Sequence, residues 1–272
     1  MIDGSIPYEQ ARDGNRAFWD EVTPVHIQSY GVEQFLAGDR WLPLTILEEV
    51  GDVTDKSLLH LQCHFGLDSL AWVRRGAVVT GVDFSPLAIE AAQQLSQQAD
   101  LPAKFICADI YDLPSNLNDQ FDIVFTSIGV LCWLKDLDTW AQIVTQHLKP
   151  GGFFYLMDGH PLLYTFDDEG QWKFELSYFH NKEPYLWDED DTNYMDPTYK
   201  VQSPTYEWQW PMSDIINAIL KAGLRLEFLH EFEALVDPVY PEMVQREDGL
   251  YSFPDIPVPL PILFSLKAYK DS

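Results

Sequence analysis

The chain has 272 residues and a formal net charge of −26 at neutral pH, long enough for one large domain or for a domain with an insertion, with a proper core in either case. That charge argues against a nucleic-acid partner, because phosphate binding needs basic patches that counterion release rewards, and it disfavours anionic membrane surfaces. It excludes partners without naming one.

Three cysteines, Cys63, Cys107 and Cys132, form no C-x-x-C pair, and no histidines cluster at metal spacing, so no metal is expected. An odd count inside apolar runs reads as reduced, largely buried thiols. No basic region followed by an apolar core opens the chain, and no window approaches the roughly 20 apolar residues of a membrane span, so a soluble cytoplasmic protein is expected.

Residues 1–50 read as helical and amphipathic in places. Ala17-Phe18-Trp19 form an apolar cluster, Leu44 and Leu47 repeat at helical spacing, and Pro24 and Pro43 act as punctuation. Such a segment ahead of a sheet is either a structural wrap packed against it or a lid over a site. Trp19, His26 and Tyr30 are the side chains that would face a pocket in the second case.

The stretch from Leu58 to Asp83 sets the pattern for the middle of the chain. An apolar run breaks at Gln62-Cys63-His64-Phe65-Gly66, restarts as a helix and returns as Ala77-Val78-Val79-Thr80-Gly81-Val82-Asp83, the first half of a doubly wound nucleotide-binding sheet. The loop before the helix can turn backbone amides toward a polar ligand. Asp83, at a strand's carboxyl end, is placed to accept two ribose hydroxyls, although a strand-end Asp is also an ordinary turn or cap residue.

Ser85 and Pro86 start a second helix, whose Ala88, Ala91, Ala92, Leu95 and Ala99 make one stripe. A third strand, Lys104–Cys107, leads to Ala108-Asp109-Ile110, and a fourth opens at Phe121-Asp122 and ends at Thr126-Ser127-Ile128-Gly129. A helix carrying Leu137, Trp140, Ala141, Val144 and Leu148 stops at Lys149-Pro150-Gly151-Gly152, and a fifth strand covers 152–157.

This series resembles the class I S-adenosylmethionine-dependent methyltransferases, and among them the small-molecule, type 11-like branch. The resemblance is carried by the glycine loop, the Asp ending strand two, Ala-Asp after strand three, Phe-Asp opening strand four and Leu-Lys-Pro-Gly-Gly before strand five. It implies an α/β fold: a doubly wound, seven-stranded, mostly parallel Rossmann-like sheet with an inserted aromatic, β-rich cap. It also implies S-adenosylmethionine as cofactor and S-adenosylhomocysteine as product. By the same resemblance Gln62, Cys63, His64 and Gly66 cradle the methionine part, Asp83 binds the ribose, Phe84 packs on the adenine, Asp109 and Ile110 read the adenine edge, and Ser127 with Ile128 lines the floor beside the sulfonium. The first motif departs from the family pattern. Its acidic, Gly, Gly, Gly positions hold His60, Gln62, His64 and Gly66, which leaves the cofactor ammonium without its usual carboxylate; the larger side chains fit if their φ values stay negative.

Beyond the fifth strand, His160 is a candidate base or an ordinary turn residue before Pro161. Residues 161–210 are expected to form the cap, rich in aromatic residues such as Tyr206, Trp208 and Trp210 and in the acidic runs 167–169 and 188–191. These could cage a cationic substrate, or the aromatics could be the cap's own small core and the acids its wet face. Ser213 reads as the cap of a further helix, and strands over 224–232 and 262–269 complete the sheet around a proline-rich segment over 238–261. The expected division is therefore 1–50 as lid or wrap, 51–160 with 211–272 as the cofactor domain, and 161–210 as cap or substrate region.

The expected function is methyl transfer to a small-molecule acceptor, mainly by in-line positioning. A catalytically silent S-adenosylmethionine-binding protein is the alternative. An NAD-dependent oxidoreductase is disfavoured by the absence of G-x-G-x-x-G.

Overall fold

The computed structural model describes residues 6–38, 42–166, 173–187, 192–193, 195–236, 238, 240, 243–247, 250–254 and 258–272. Three helices, α1 (Tyr8–Ser29), α2 (Val32–Ala37) and α3 (Leu44–Val50), precede an alternating run. That run comprises β1 (Ser57–Leu61), α4 (Leu67–Arg74), β2 (Val78–Asp83), α5 (Pro86–Ala99), β3 (Lys104–Cys107), α6 (Leu113–Asn116), β4 (Phe121–Ser127), α7 (Leu137–Gln146) and β5 (Leu148–Gly159). Four short strands come next: β6 (Tyr185–Trp187), β7 (Thr192–Asn193), β8 (Asp196–Lys200) and β9 (Thr205–Glu207). The chain ends with α8 (Met212–Lys221), β10 (Leu224–Phe232), β11 (Val244–Gln245), β12 (Tyr251–Ser252) and β13 (Leu263–Lys270).

Seven strands make the main sheet, in the order β10-β13-β5-β4-β1-β2-β3. It is parallel from β3 to β5, and β13 enters antiparallel between β5 and β10. The doubly wound, mostly parallel sheet read from the sequence is the one found. Its strands are apolar on both faces because both are covered. Along β4 and β5, Ile123, Phe125, Tyr155 and Met157 join one core with Leu70 and Trp72 of α4 and Ile89 and Leu95 of α5. The alternate residues Val124, Phe154 and Leu156 join the other, with Trp140 and Val144 of α7 and Ile215 and Ile219 of α8. Strand order reverses between β1 and β4, which opens a crevice at the carboxyl ends of these strands, where such sheets bind ligands.

Several local expectations are corrected. Pro24 does not end α1, which runs through it to Ser29; Thr23 Oγ1 donates to the Trp19 carbonyl (2.6 Å) one turn back. Pro43, by contrast, does stand at the start of α3. Ser213 is not a cap: Pro211 occupies the N-cap of α8 and no side chain bonds there. The fifth strand begins at Leu148, earlier than its glycines suggest, with a register shift opposite Phe121 and Ile123 of β4. Tyr206 to Trp210 is strand only as far as Glu207. Cys63 is buried, but Cys107 is exposed and Cys132 lies between.

Two two-stranded ladders, β6-β9 and β7-β8, lie in the 161–210 region. Tyr206 and Trp208 pack with Ala11 of α1 and with Trp210, Tyr8 and Ile6 in a small separate core. The acidic runs at 167–169 and 188–191 lie outside the described residues. In the proline-rich segment, Tyr251 and Phe253 pack against the main core; Ile256 lies outside the described residues. No helix among the described residues is long and apolar enough to cross a membrane.

Candidate functional site

A cavity of about 510 Å³ occupies the crevice. Its wall includes Gln62, Cys63, His64 and Gly66 from the loop after β1, Asp83 and Phe84 after β2, Asp109 and Ile110 after β3, and Ser127 and Ile128 after β4. All ten residues read as cofactor-binding are thus brought to one place. Trp19 of α1 and Tyr30, which caps that helix, line it too. His26 stands behind this wall and touches it through His64. His160 is elsewhere: it is buried, its Nδ1 accepts from the Leu162 amide (3.1 Å) and its Nε2 meets Glu231 (2.9 Å). The structure therefore does not bring His160 to the cavity.

The loop after β1 takes a form the sequence did not suggest. Gln62, His64 and Gly66 all have left-handed backbone, at φ of 56°, 49° and 81°. The condition that the larger residues keep negative φ is not met; the loop keeps the glycine conformation and bears its strain. The side chains nonetheless leave the crevice open. Gln62 Nε2 donates to the Val130 carbonyl (3.0 Å), and the His64 ring turns toward α1, packing on Trp19, Phe65 and His26.

A chain of bonds fixes that ring's protons. The amides of Met195 and Asp196 donate to Asn193 Oδ1 (2.9 and 3.3 Å), so Asn193 Nδ2 is the atom that faces His26 Nε2 (3.1 Å). His26 must accept there and donate from Nδ1 to His64 Nε2 (3.1 Å). Burial pushes His26 down to about 4 and holds His64 well below the ordinary imidazole range, so both rings are neutral at pH 7. His60 is neutral as well, pushed to about 3 by burial, with Nδ1 on Ser69 Oγ (2.8 Å).

Asp83 is buried at the end of β2. Its oxygens accept from the His64 amide (2.8 Å) and the Ser85 amide (2.9 Å). Desolvation raises its pKa to about 6, against the pull of these amides. Asp109 accepts from the Tyr111 amide (2.8 Å) and from the Tyr8 hydroxyl (2.9 Å), which ties the start of α1 to the end of β3. Each carboxylate retains acceptor capacity for a ligand. Gly66 and Gly81 let Phe105 pack beneath the loop: a Cβ at either would lie 2.9 or 2.8 Å from its ring.

Two residues that sequence reasoning missed also belong here. Asp68, in the first turn of α4, lines the cavity and accepts from Ser127 Oγ (2.8 Å). Asp158 at the end of β5 is buried and accepts from the amides of Gly129, Val130, Leu131 and Gly159, which shapes the segment after β4. Only its position at a strand end signalled it.

Residues 59–156 match the family model described as "Methyltransferase domain". The match runs from β1 to β5 and includes the strand ends that carry the cavity. The chain is 32% identical over 124 residues to a ubiquinone biosynthesis O-methyltransferase of Pseudomonas syringae pv. tomato, covering 44% of this chain and 52% of that enzyme. A Chromobacterium violaceum protein of the same name is 26% identical over 114 residues, 42% of this chain and 49% of its own. The chain thus spans about half the length of the curated relatives it matches. Among solved structures, an S-adenosylmethionine-dependent methyltransferase from Mesorhizobium loti shares the fold with a TM-score of 0.58 at 18% identity, covering 86% of this chain and 99% of that one. One from Clostridium acetobutylicum does so at 0.55 and 14%, covering 93% and 99%.

Proposed function

We propose that the protein binds S-adenosylmethionine and transfers its methyl group to a nucleophile on a small-molecule acceptor. The observation that supports this most is the cavity at the strand ends, where Asp83, Asp109 and the left-handed loop after β1 meet. The match to a methyltransferase domain over these residues, and the curated O-methyltransferases the chain is similar to, point the same way. The residues fit the cofactor: a carboxylate at the end of β2 for the sugar, one at the end of β3 for the base, and the left-handed loop after β1 on the other side of Asp83.

When bound, the cofactor supplies a methyl group already activated by its sulfonium, so the protein's share is placement and exclusion of water. Asp83 would accept from the ribose hydroxyls and Asp109 from the adenine amino group beside the Ile110 amide. Phe84 would cover the adenine. Ser127 and Ile128 would form the floor, while Trp19 and Trp133, 5.4 Å apart edge-to-face, would close the cavity from the α1 side. No general base is demanded where the acceptor nucleophile carries no proton.

Calorimetry with S-adenosylhomocysteine and with NAD tests the cofactor, and release of S-adenosylhomocysteine in the presence of a pool of phenols and amines tests the transfer. Binding of NAD alone overturns the proposal. Binding of S-adenosylhomocysteine without turnover on any acceptor leaves a silent binding protein instead.

A further inference from the structure

The carboxylates around the cavity are ordered by the sheet. Strands β3, β2, β1 and β4 lie side by side, about 4.8 Å apart. Asp109 follows β3, Asp83 ends β2, the left-handed loop follows β1, and Ser127 ends β4. An adenosyl ligand with its base at Asp109 and its sugar at Asp83 is therefore directed along this row, and whatever its sulfur carries besides the methyl lies over β1 and β4. For the cofactor of the proposed function, on which this inference rests, that is an amino acid with a charged ammonium.

The end of β1 offers that ammonium no counter-charge, because the buried His60 there has no anionic form. A neutral ring cannot offset a cation taken out of water. A carboxylate is nevertheless present at this end of the cavity. Asp68 extends from the first turn of α4, and Ser127 Oγ donates to its Oδ2 at 2.8 Å, which fixes it beside the floor of the crevice. A second acceptor belongs to a residue that lines the same cavity. Gln62 spends its Nε2 on the Val130 carbonyl, and its Oε1 is buried with no hydrogen-bond partner. An orphaned buried acceptor carries its full desolvation cost, and an ammonium, with three N–H donors and no acceptor, is the kind of group that would relieve it.

We propose that Asp68 is the ammonium-binding residue of this site, with Gln62 Oε1 as its neutral companion, in place of a carboxylate at the end of β1. The acidic function of the first motif is then displaced by eight residues, from strand end to helix start.

The test is calorimetry of the wild type and of Asp68→Asn with S-adenosylhomocysteine and with 5′-methylthioadenosine, which keeps the adenosine and the sulfur but has no amino acid. Asp68→Asn should weaken S-adenosylhomocysteine at least tenfold and leave 5′-methylthioadenosine within twofold, so the second ligand also reports that the variant is folded. Unchanged affinity for S-adenosylhomocysteine overturns the assignment, including the case in which turnover alone is lost and Asp68 acts on the acceptor. Equal loss of both ligands overturns it too, since Asp68 would then serve the loop as a whole. A wild type that binds neither ligand defeats the cofactor reading itself.

Discussion

Asp83, proposed above to hold the ribose, sits where an anion is costly. Burial raises its pKa to about 6, so it is ionised at pH 7 and neutral below about 6. Ligand hydroxyls donate best to the ionised form, so affinity for S-adenosylhomocysteine should fall as pH is lowered from 7.5 to 5.5. Asp83→Asn should cost about 1.5–3 kcal/mol of binding, the scale of a hydrogen bond to a charged group, and should flatten that pH dependence; a titration calorimeter reads both. His64 poses a different question, because it holds a left-handed backbone at φ 49° while its ring docks on α1. His64→Gly removes the strain and the dock together. Nucleoside binding should survive within a few-fold, while hydrogen exchange at the amides around His26 should quicken, as a helix released from its contact opens more often.

Helix α1 is held along its length by contacts that no local pattern encodes. Asn15 Nδ2 donates to the Tyr206 carbonyl (2.8 Å) and its Oδ1 accepts from the Tyr206 amide (2.7 Å), so one side chain replaces a strand neighbour for β9. Gly14 makes room beside it: a Cβ there would come 2.6 Å from the Tyr206 ring. Asn15→Ala leaves two buried backbone groups without partners and should destabilise the fold by about 2–4 kcal/mol, measured by denaturant unfolding. The end of α5 gives a prediction of opposite sign. Asp100 caps it in left-handed conformation, φ 52°, with an exposed side chain. Asp100→Gly should stabilise by about 0.5–1 kcal/mol, since glycine adopts that conformation without a Cβ penalty.

Across the whole molecule, buried ionisable groups set the acid limit of stability. His26 and His60 are held at about 4 and 3, and His64 lower than the ordinary range. Each would take up a proton in the unfolded chain near pH 6.5 but not in the folded one, so stability is lost as pH falls from about 6.5 toward 4. Asp83 and Asp158, raised by burial, act in the opposite sense, but the three histidines outnumber them. The denaturant midpoint should therefore be lower at pH 5 than at pH 7, and an equal midpoint would contradict the neutral-histidine assignment.

The alternation of strands and helices and the Ser85 cap were legible in the amino-acid order, because each depends on short-range spacing, while the ten residues of the cavity wall were reached through the resemblance that the ordered strand-end motifs carry. Period-2 apolar runs fix which residues face a core wherever they are placed. Folding in three dimensions was needed to show that Gln62 and His64 adopt the glycine conformation, that α1 continues through Pro24, that His160 lies outside the cavity and that Asp68 and Ser127 meet. The physical reason is distance along the chain. The bonds that settle most of these points join residues 59 apart (Asp68 and Ser127), 68 apart (Gln62 and Val130), 71 apart (His160 and Glu231) and 167 apart (His26 and Asn193), and no window of local sequence contains both partners.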